Sequence, residues 1–432
     1  MTTIPASNHF VYRDGLLHAD GVSLTDIAAE LGTPTFVYSG ASIDKSFREI
    51  DAALTTPAST TPHLVAYAMK ANGNLAILKR LAALGSGFDI VSGGELARVL
   101  HVGVSGERIV FSGVGKTRDE IRAALKAGVR SLHAESASEV ATIESVAAEL
   151  GVRAPVSLRV NPNVDANTHP YISTGLHSTK FGLPFDVARS LLPKLLSSPH
   201  LRFEGLACHI GSLVLDPTPI RDATTLVAEF AVECVKAGAE LRSIDAGGGW
   251  PILYGNEDEA AAPFSAFGAA VLEGVERGGA QGLGLEVLIE PGRSIVGDAG
   301  VLLTRVLYLK EQSGKRFAIV DAAMTELIRP ALYEAHHAVM PVKQPASNAA
   351  QVSTSVVGPV CESSDFIALD REMPDVQEGD LLAIRGAGAY AATMASEYNA
   401  RPRAAEVMVD GDVFRSVRRR GNVQDLWRDE EA

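Results

Sequence analysis

His63-Leu-Val-Ala-Tyr67-Ala-Met-Lys70-Ala-Asn72 decides how the rest of the chain reads. Residues 64–69 carry no charge, so they read as a short strand buried on both faces. The run then meets one lysine. An amine at the rim of a core is biased toward its neutral form, because burial disfavours the ammonium. A neutral lysine is the nucleophile that a Schiff base with an aldehyde requires. A lone lysine at a strand end more often snorkels to water. The reading of Lys70 therefore depends on what later segments bring beside it.

Working outward, short apolar strands alternate with amphipathic helices. Strand candidates end near Lys70, Ser92, Ser112, Glu135, Asn161, His209, Gly247 and Glu290. Between them, Leu75, Leu78, Leu81 and Leu84 recur at helical spacing. Thr117-Arg-Asp-Glu120 and Ser136-Ala-Ser-Glu139 match the capping box that starts a helix. Residues 222–237 form a longer periodic helix that stops at Gly238. Strand–helix alternation implies a parallel sheet, and eight such units predict a closed, TIM-like (β/α)8 barrel. An open doubly wound sheet is the alternative, since periodicity alone does not prove closure.

After about residue 294 the texture changes. Val301–Leu309, Arg316–Val320, Gln351–Val357 and Asp380–Arg385 read as strands with few helices between them. Glu378-Gly-Asp380 and Asp410-Gly-Asp412 supply turns. This predicts an all-β second domain. Residues 9–22 are also strand-like, with Asp14-Gly15 as a hairpin turn, and are expected to join it. The expected division is a barrel over 34–293, inserted between residues 1–33 and 294–432 of a β-sandwich or β-barrel-like domain. Ala52–Pro62 and Pro341–Gln351 read as surface loops.

Composition narrows the function classes. The 432 residues include 39 Lys and Arg against 52 Asp and Glu, a net charge of −13. An acidic chain is a poor partner for nucleic acid, which needs basic patches. Arg418-Arg-Arg420 stands close to Asp425, Asp429, Glu430 and Glu431 and reads as a solvated, mixed-charge tail. No apolar stretch approaches the ~18 residues of a membrane span, and Met1–Pro5 does not resemble a secretory signal. Cys208, Cys234 and Cys361 fit neither a disulfide framework nor a zinc site, and no metal is expected. The cytoplasm is the expected location.

In a barrel, functional side chains sit at the C-terminal strand ends. Here those ends carry Lys70, Asp89, Ser92-Gly-Gly-Glu95, Arg159-Val-Asn-Pro162, His209-Ile-Gly-Ser212, Gly247-Gly-Gly249 and Glu290-Pro291-Gly292-Arg293. A glycine triplet can bring backbone N–H groups against a phosphate, although it can equally be a plain turn. Arg293 adds a fork suited to phosphate or carboxylate, and Ser212 a further donor. Lysine, phosphate cradle and carboxylate together point to pyridoxal 5'-phosphate. Its aldehyde takes the lysine, and an acid pairs with its protonated ring nitrogen. Glu290 is the candidate acid; its alternative is a salt bridge to Arg293. His209 is either a satisfied core histidine or a ring stacked on a flat cofactor.

Tyr67-Ala-Met-Lys70-Ala-Asn72, Ser92-Gly-Gly-Glu95, His209-Ile-Gly-Ser212, Gly247-Gly-Gly249 and Glu290-Pro-Gly-Arg293, in that order, resemble the signature segments of the fold-type III pyridoxal phosphate decarboxylases. Further segments resemble the branch acting on diaminopimelate: His169–Gly182, Leu327–Tyr333, Gly358–Asp365, Gly388-Ala-Tyr390 and Tyr398–Arg403. The resemblance implies decarboxylation of meso-2,6-diaminoheptanedioate to L-lysine by a homodimer with shared active sites. It implies Lys70 as the Schiff-base lysine, His209 on the ring, and Glu290 at the ring nitrogen. Ser212, Gly248, Gly249, Pro291, Gly292 and Arg293 would surround the phosphate end, with Tyr390 closing the site. Arg293, Arg329 and Tyr333 would hold the distal carboxylate. Cys361 and Glu362 would come from the partner subunit, as proton donor and as acceptor for the distal ammonium. The residues alone agree in part: Arg329 and Tyr333, four apart, can share one helical face. Two other readings compete. One is a decarboxylase of ornithine, lysine, arginine or a carboxylated polyamine, which has no need of a carboxylate clamp. The other is a non-catalytic cofactor-binding homologue, which has no need of Lys70, Glu290 and Cys361 together.

Overall fold

The computed structural model describes residues 9–55, 61–165, 180–255 and 261–431. It divides into two compact units. One comprises Met1–Ser46, Ile252–Ala260 and Arg293–Ala432; the other comprises Phe47–Pro251 and Ala261–Gly292. Four strands precede the barrel, all in the first unit: β1 (Phe10–Arg13), β2 (Leu16–Ala19), β3 (Val22–Ser23) and β4 (Thr35–Ser39). β1 and β2 form the expected hairpin, with Arg13 opposite Leu16. Asp14 and Gly15 between them both have positive φ, 50° and 78°, as a two-residue hairpin turn requires.

The second unit is the barrel. Its strands are β5 (His63–Ala68), β6 (Gly87–Ile90), β7 (Ile109–Phe111), β8 (Ser131–Ala134), β9 (Ala154–Arg159), β10 (Leu201–Ala207), β11 (Ser243–Asp245) and β12 (Glu286–Ile289). Every neighbouring pair is parallel, and β12 pairs with β5 to close the ring. Closure excludes the open-sheet alternative. The eight strands are those expected from the alternation of apolar runs. Small and branched residues fill the interior, where Ala66, Val110 and Leu288 pack together against Leu64. Helix Arg118–Ala127 starts at Thr117 with both halves of the capping box formed. Helix Ala137–Leu150 keeps only half of its box: Ser136 accepts from Glu139 N, but the Glu139 carboxylate turns to the N–H of Glu135.

The remaining strands return to the first unit: β13 (Gly300–Gln312), β14 (Lys315–Val320), β15 (Val339–Pro341), β16 (Gln351–Val357), β17 (Phe366–Pro374), β18 (Leu381–Ile384), β19 (Ala405–Asp410) and β20 (Val413–Arg418). The sheet runs β17-β16-β14-β13-β4-β19-β20, with β18 on β13 and β15 on β18. β4 lies between β13 and β19. The expected domain boundary at residue 34 therefore differs from the observed division, because β4 extends this sheet. Ile252–Ala260 and Arg293 also belong to this unit. It is mostly β, with helix Leu24–Leu31 and a short helix Arg329–Tyr333. Phe10, Leu17, Leu24 and Ile27 share one core with Val37, Val301, Leu303 and Val407, which ties the N-terminal strands to the sheet.

Candidate active site

Within the barrel unit, Lys70 sits in a single turn, Met69–Ala71, just past the end of β5. The buried hydroxyl of Tyr67 donates to the Asn72 carbonyl at 2.9 Å and closes that turn. Ala68 N donates to Pro291 O at 3.1 Å, so the Lys70 turn is tied to the segment after β12. Lys70 Nζ lies 4.0 Å from Asp89 Oδ2, and its side chain is 39% exposed. The amine is thus at the rim, more open than a core-buried lysine, and faces a buried carboxylate.

After β11 come three glycines packed too closely for any side chain. A Cβ on Gly248 would lie 2.2 Å from Glu290 O, and one on Gly249 would lie 2.4 Å from Gly211 O. Gly247 and Gly249 also have positive φ, 71° and 96°. Gly247 N donates to Asp245 Oδ1 at 2.8 Å, and Glu290 N donates to Gly247 O at 2.8 Å. Gly248 N donates to His209 Nδ1 at 3.1 Å, which requires that nitrogen to be unprotonated. Burial, Lys70 and Arg159 all push the His209 pKa well below its ordinary value, so the ring is neutral. Ser212, half-buried, follows Gly211 on the same loop.

Three buried acids meet here. Burial, then Asp245 and Asp89, hold the Glu290 carboxyl well above its ordinary pKa. Burial pushes Asp245 up to about 7 and raises Asp89 as well, with Lys70 the main opposing charge at Asp89. Three carboxylates cannot all ionise in so small a space, so the cluster retains a proton. Ser112 Oγ lies 3.4 Å from Glu290 Oε1 and 3.2 Å from His133 Nδ1. His133, fully buried, is pushed down to about 3 and stays neutral. A pyridine ring would find a proton-bearing acid cluster around Glu290, a neutral imidazole at His209 and, after β11, glycine backbone that no side chain shields. The residues present therefore fit pyridoxal phosphate.

The first unit holds a second set. Arg293, at the start of helix Arg293–Val296, is buried; its Nη1 donates to Tyr254 Oη at 2.6 Å. Its guanidinium lies 4.6 Å from the centre of the Tyr390 ring, and Tyr390 has a positive φ of 55°. Arg329 is 3% exposed and lies 4.6 Å from the Tyr254 ring centre. Burial and Arg293 lower its pKa, with Tyr254, Tyr390 and Tyr333 acting the other way. His337 Nε2 is 2.7 Å from its Nη1, and it forms no ion pair with a carboxylate among the described residues. Its Nε has no hydrogen-bond partner among the described residues. A buried guanidinium without an acid is costly unless an anion joins it, and this one sits among phenol rings and a second arginine.

Cys361 and Glu362 stand apart from that set. They are exposed on the loop after β16, where Cys361 N donates to Asn399 Oδ1 at 2.8 Å and Glu362 accepts from Ser364. Asp365 shapes the loop: it accepts from Val360 N at 2.7 Å and Met324 N at 2.6 Å. Cys208 and Cys234 are buried thiols pushed up to about 12, as inert core residues. Residues 166–179, most of the segment His169–Gly182, lie outside the described residues; its end is held by Gly182 N donating to Glu135 at 3.0 Å. Sequence reasoning missed Asp245, His133, Tyr254 and His337. Only Asp245 carried a signal, as an acid two residues before the glycine triplet.

The model for "Pyridoxal-dependent decarboxylase, pyridoxal binding domain" matches residues 41–297. The diaminopimelate decarboxylase of Pseudomonas aeruginosa is 49% identical over 421 residues, 98% of each chain. The solved diaminopimelate decarboxylase of Helicobacter pylori, complexed with L-lysine, is similar at a TM-score of 0.88 and 42% identity, covering 94% of this chain and 98% of that one. That of M. jannaschii, in co-complex with L-lysine, gives 0.93 at 36% identity over 98% of both chains.

Proposed function

The chain belongs to the pyridoxal-dependent decarboxylase family, and on that premise we propose that it converts meso-2,6-diaminoheptanedioate to L-lysine and carbon dioxide. The observation that carries the reading is the barrel mouth. There an amine, a glycine cradle and a proton-bearing acid converge, in a chain 49% identical to a diaminopimelate decarboxylase along nearly its whole length. When bound, pyridoxal 5'-phosphate supplies a sink for the electron pair left by the departing carboxylate.

The chain's own residues do the rest. Lys70 Nζ would hold the aldehyde end of the cofactor, and as a free amine it would be placed to take up or return a proton there. Gly248, Gly249, Ser212, Pro291, Gly292 and Arg293 surround the phosphate end. His209, neutral, presents a ring face without competing for the proton. Glu290 would face the ring nitrogen, and the proton that burial, Asp245 and Asp89 keep on this acid cluster would be available to that nitrogen. Arg329, with Arg293 and Tyr333, binds the distal carboxylate, and Tyr390 covers the phosphate side. Support for this clamp is that Arg329 is buried with no acid paired to it among the described residues. Cys361 of the partner subunit delivers the proton to the carbon, and Glu362 of the partner subunit accepts from the distal ammonium. A homodimer with shared sites is the reading that gives these exposed side chains a task. Three free thiols agree with a cytoplasmic enzyme; no helix among the described residues is long and apolar enough to cross a membrane.

The test is an assay of the cofactor-loaded protein against meso-2,6-diaminoheptanedioate, lysine, ornithine and arginine, with released carbon dioxide and product identified. Preference for the first, with L-lysine as product, is expected. Preference for a substrate without a distal carboxylate would overturn the assignment.

A further inference from the structure

His337 is fully buried and touches the proposed clamp. Its Nε2 lies 2.7 Å from Arg329 Nη1, and its Nδ1 lies 2.7 Å from the Arg385 carbonyl oxygen. Arginine is only a donor and a carbonyl only an acceptor. Both contacts are satisfied by one tautomer alone, with the proton on Nδ1 and a lone pair on Nε2. The backbone it leans on is itself fixed, since Arg385 N donates to Ala338 O at 2.9 Å just beyond the β15–β18 pair. Tyr254 meets the imidazole edge-on at 5.0 Å while its face covers Arg329. Gly386 leaves room for that ring: a Cβ there would lie 2.7 Å from Tyr254 Cε1.

We infer that His337 is a positioning residue for the distal-carboxylate clamp, a tautomer-locked acceptor that holds Arg329 Nη1 so that its remaining N–H groups stay directed at a ligand. A carboxylate in place of His337 would hold Arg329 more tightly, but would neutralise it. A neutral acceptor fixes the guanidinium and leaves its charge for the substrate. The inference rests on the reading of Arg329 as the clamp.

L-Lysine and 1,5-diaminopentane differ by one carboxylate, so their competition against meso-2,6-diaminoheptanedioate reports the clamp without requiring turnover of either. Two variants separate a positioning role from a merely structural one. His337→Gln retains an acceptor that reaches Arg329. His337→Asn retains the donor to Arg385 but loses that acceptor. In holoenzyme, His337→Asn is expected to weaken L-lysine inhibition and raise KM for the substrate by about tenfold, the loss of one charge-assisted hydrogen bond. Its kcat and its inhibition by 1,5-diaminopentane should stay within about twofold of wild type. His337→Gln should stay near wild type in all four. Equal effects on both inhibitors, or wild-type L-lysine inhibition in His337→Asn, would overturn the inference. Arg329→Ala in the same assay separates the two levels. If it does not lower discrimination between the inhibitors, the clamp reading itself is wrong. If it does and His337→Asn does not, only the role of His337 falls.

Discussion

Asp245 is the residue at which charge and stability meet most directly. In the folded chain it ionises at about 7 rather than 3.8, chiefly because it is buried. Between those values the folded chain keeps a proton that the unfolded chain has lost, so this group makes stability fall as pH rises from about 4 to about 7. Asp245→Asn keeps the acceptor for Gly247 N and removes the penalty. In cofactor-free protein its Tm is expected to exceed wild type at about pH 8 and to converge with it at about pH 4. Thermal unfolding across that range checks this, and a gain confined to acid pH would refute it. Arg329 is the other informative residue. A charge-assisted hydrogen bond is worth roughly 1.5–3 kcal/mol. Arg329→Ala should therefore lower kcat/KM for meso-2,6-diaminoheptanedioate on the order of tenfold to more than a hundredfold. For lysine the loss should be much smaller; equal losses would overturn the clamp. Lys70, Glu290 and the glycines were legible because each is an unusual residue at a strand end. His133, Tyr254 and His337 were not, since a buried histidine or tyrosine inside an apolar segment looks the same whether it serves a core or a site.

Among the elements, the barrel strands were the most legible, because they are short, mainly apolar runs that alternate with helical segments. The β unit was harder. β4, Thr-Phe-Val-Tyr-Ser, falls inside the range 34–293 expected for the barrel, and its register with β13 and β19 is a long-range fact that no local pattern holds. The loop after β16 is the element with the most to test. Asp365 ties it down through two backbone N–H groups, at Val360 and Met324, while Cys361 and Glu362 face outward. Asp365→Ala should release the loop. Turnover should fall about tenfold or more while cofactor absorbance and Tm change little. Full activity in that variant would mean that the loop needs no such tether.

For the whole molecule, the decisive question is whether one active site draws on two chains. Purified Lys70→Ala and Cys361→Ala proteins should each be inactive or nearly so. Mixed and allowed to exchange, they should regain activity, because one site in each hybrid dimer then has both residues intact. Activity after verified exchange, measured against hybrid content, checks this; mixtures as inactive as their parents exclude sharing.

The position of β4 has a consequence for how the protein is made. Its backbone is bracketed by β13 and β19, and the Tyr38 hydroxyl donates to Glu406 at 2.9 Å across 368 residues of chain. At roughly 5–20 residues per second of synthesis, β4 leaves the ribosome about 20–70 s before the strand that covers its second edge exists. During that interval the barrel residues that follow it emerge and can collapse on their own local contacts, while β4 must wait with an open edge available to any other nascent strand. The molecule therefore relies on its last hundred residues to silence a hazard created by its first forty, which makes premature termination more dangerous here than the loss of a surface tail.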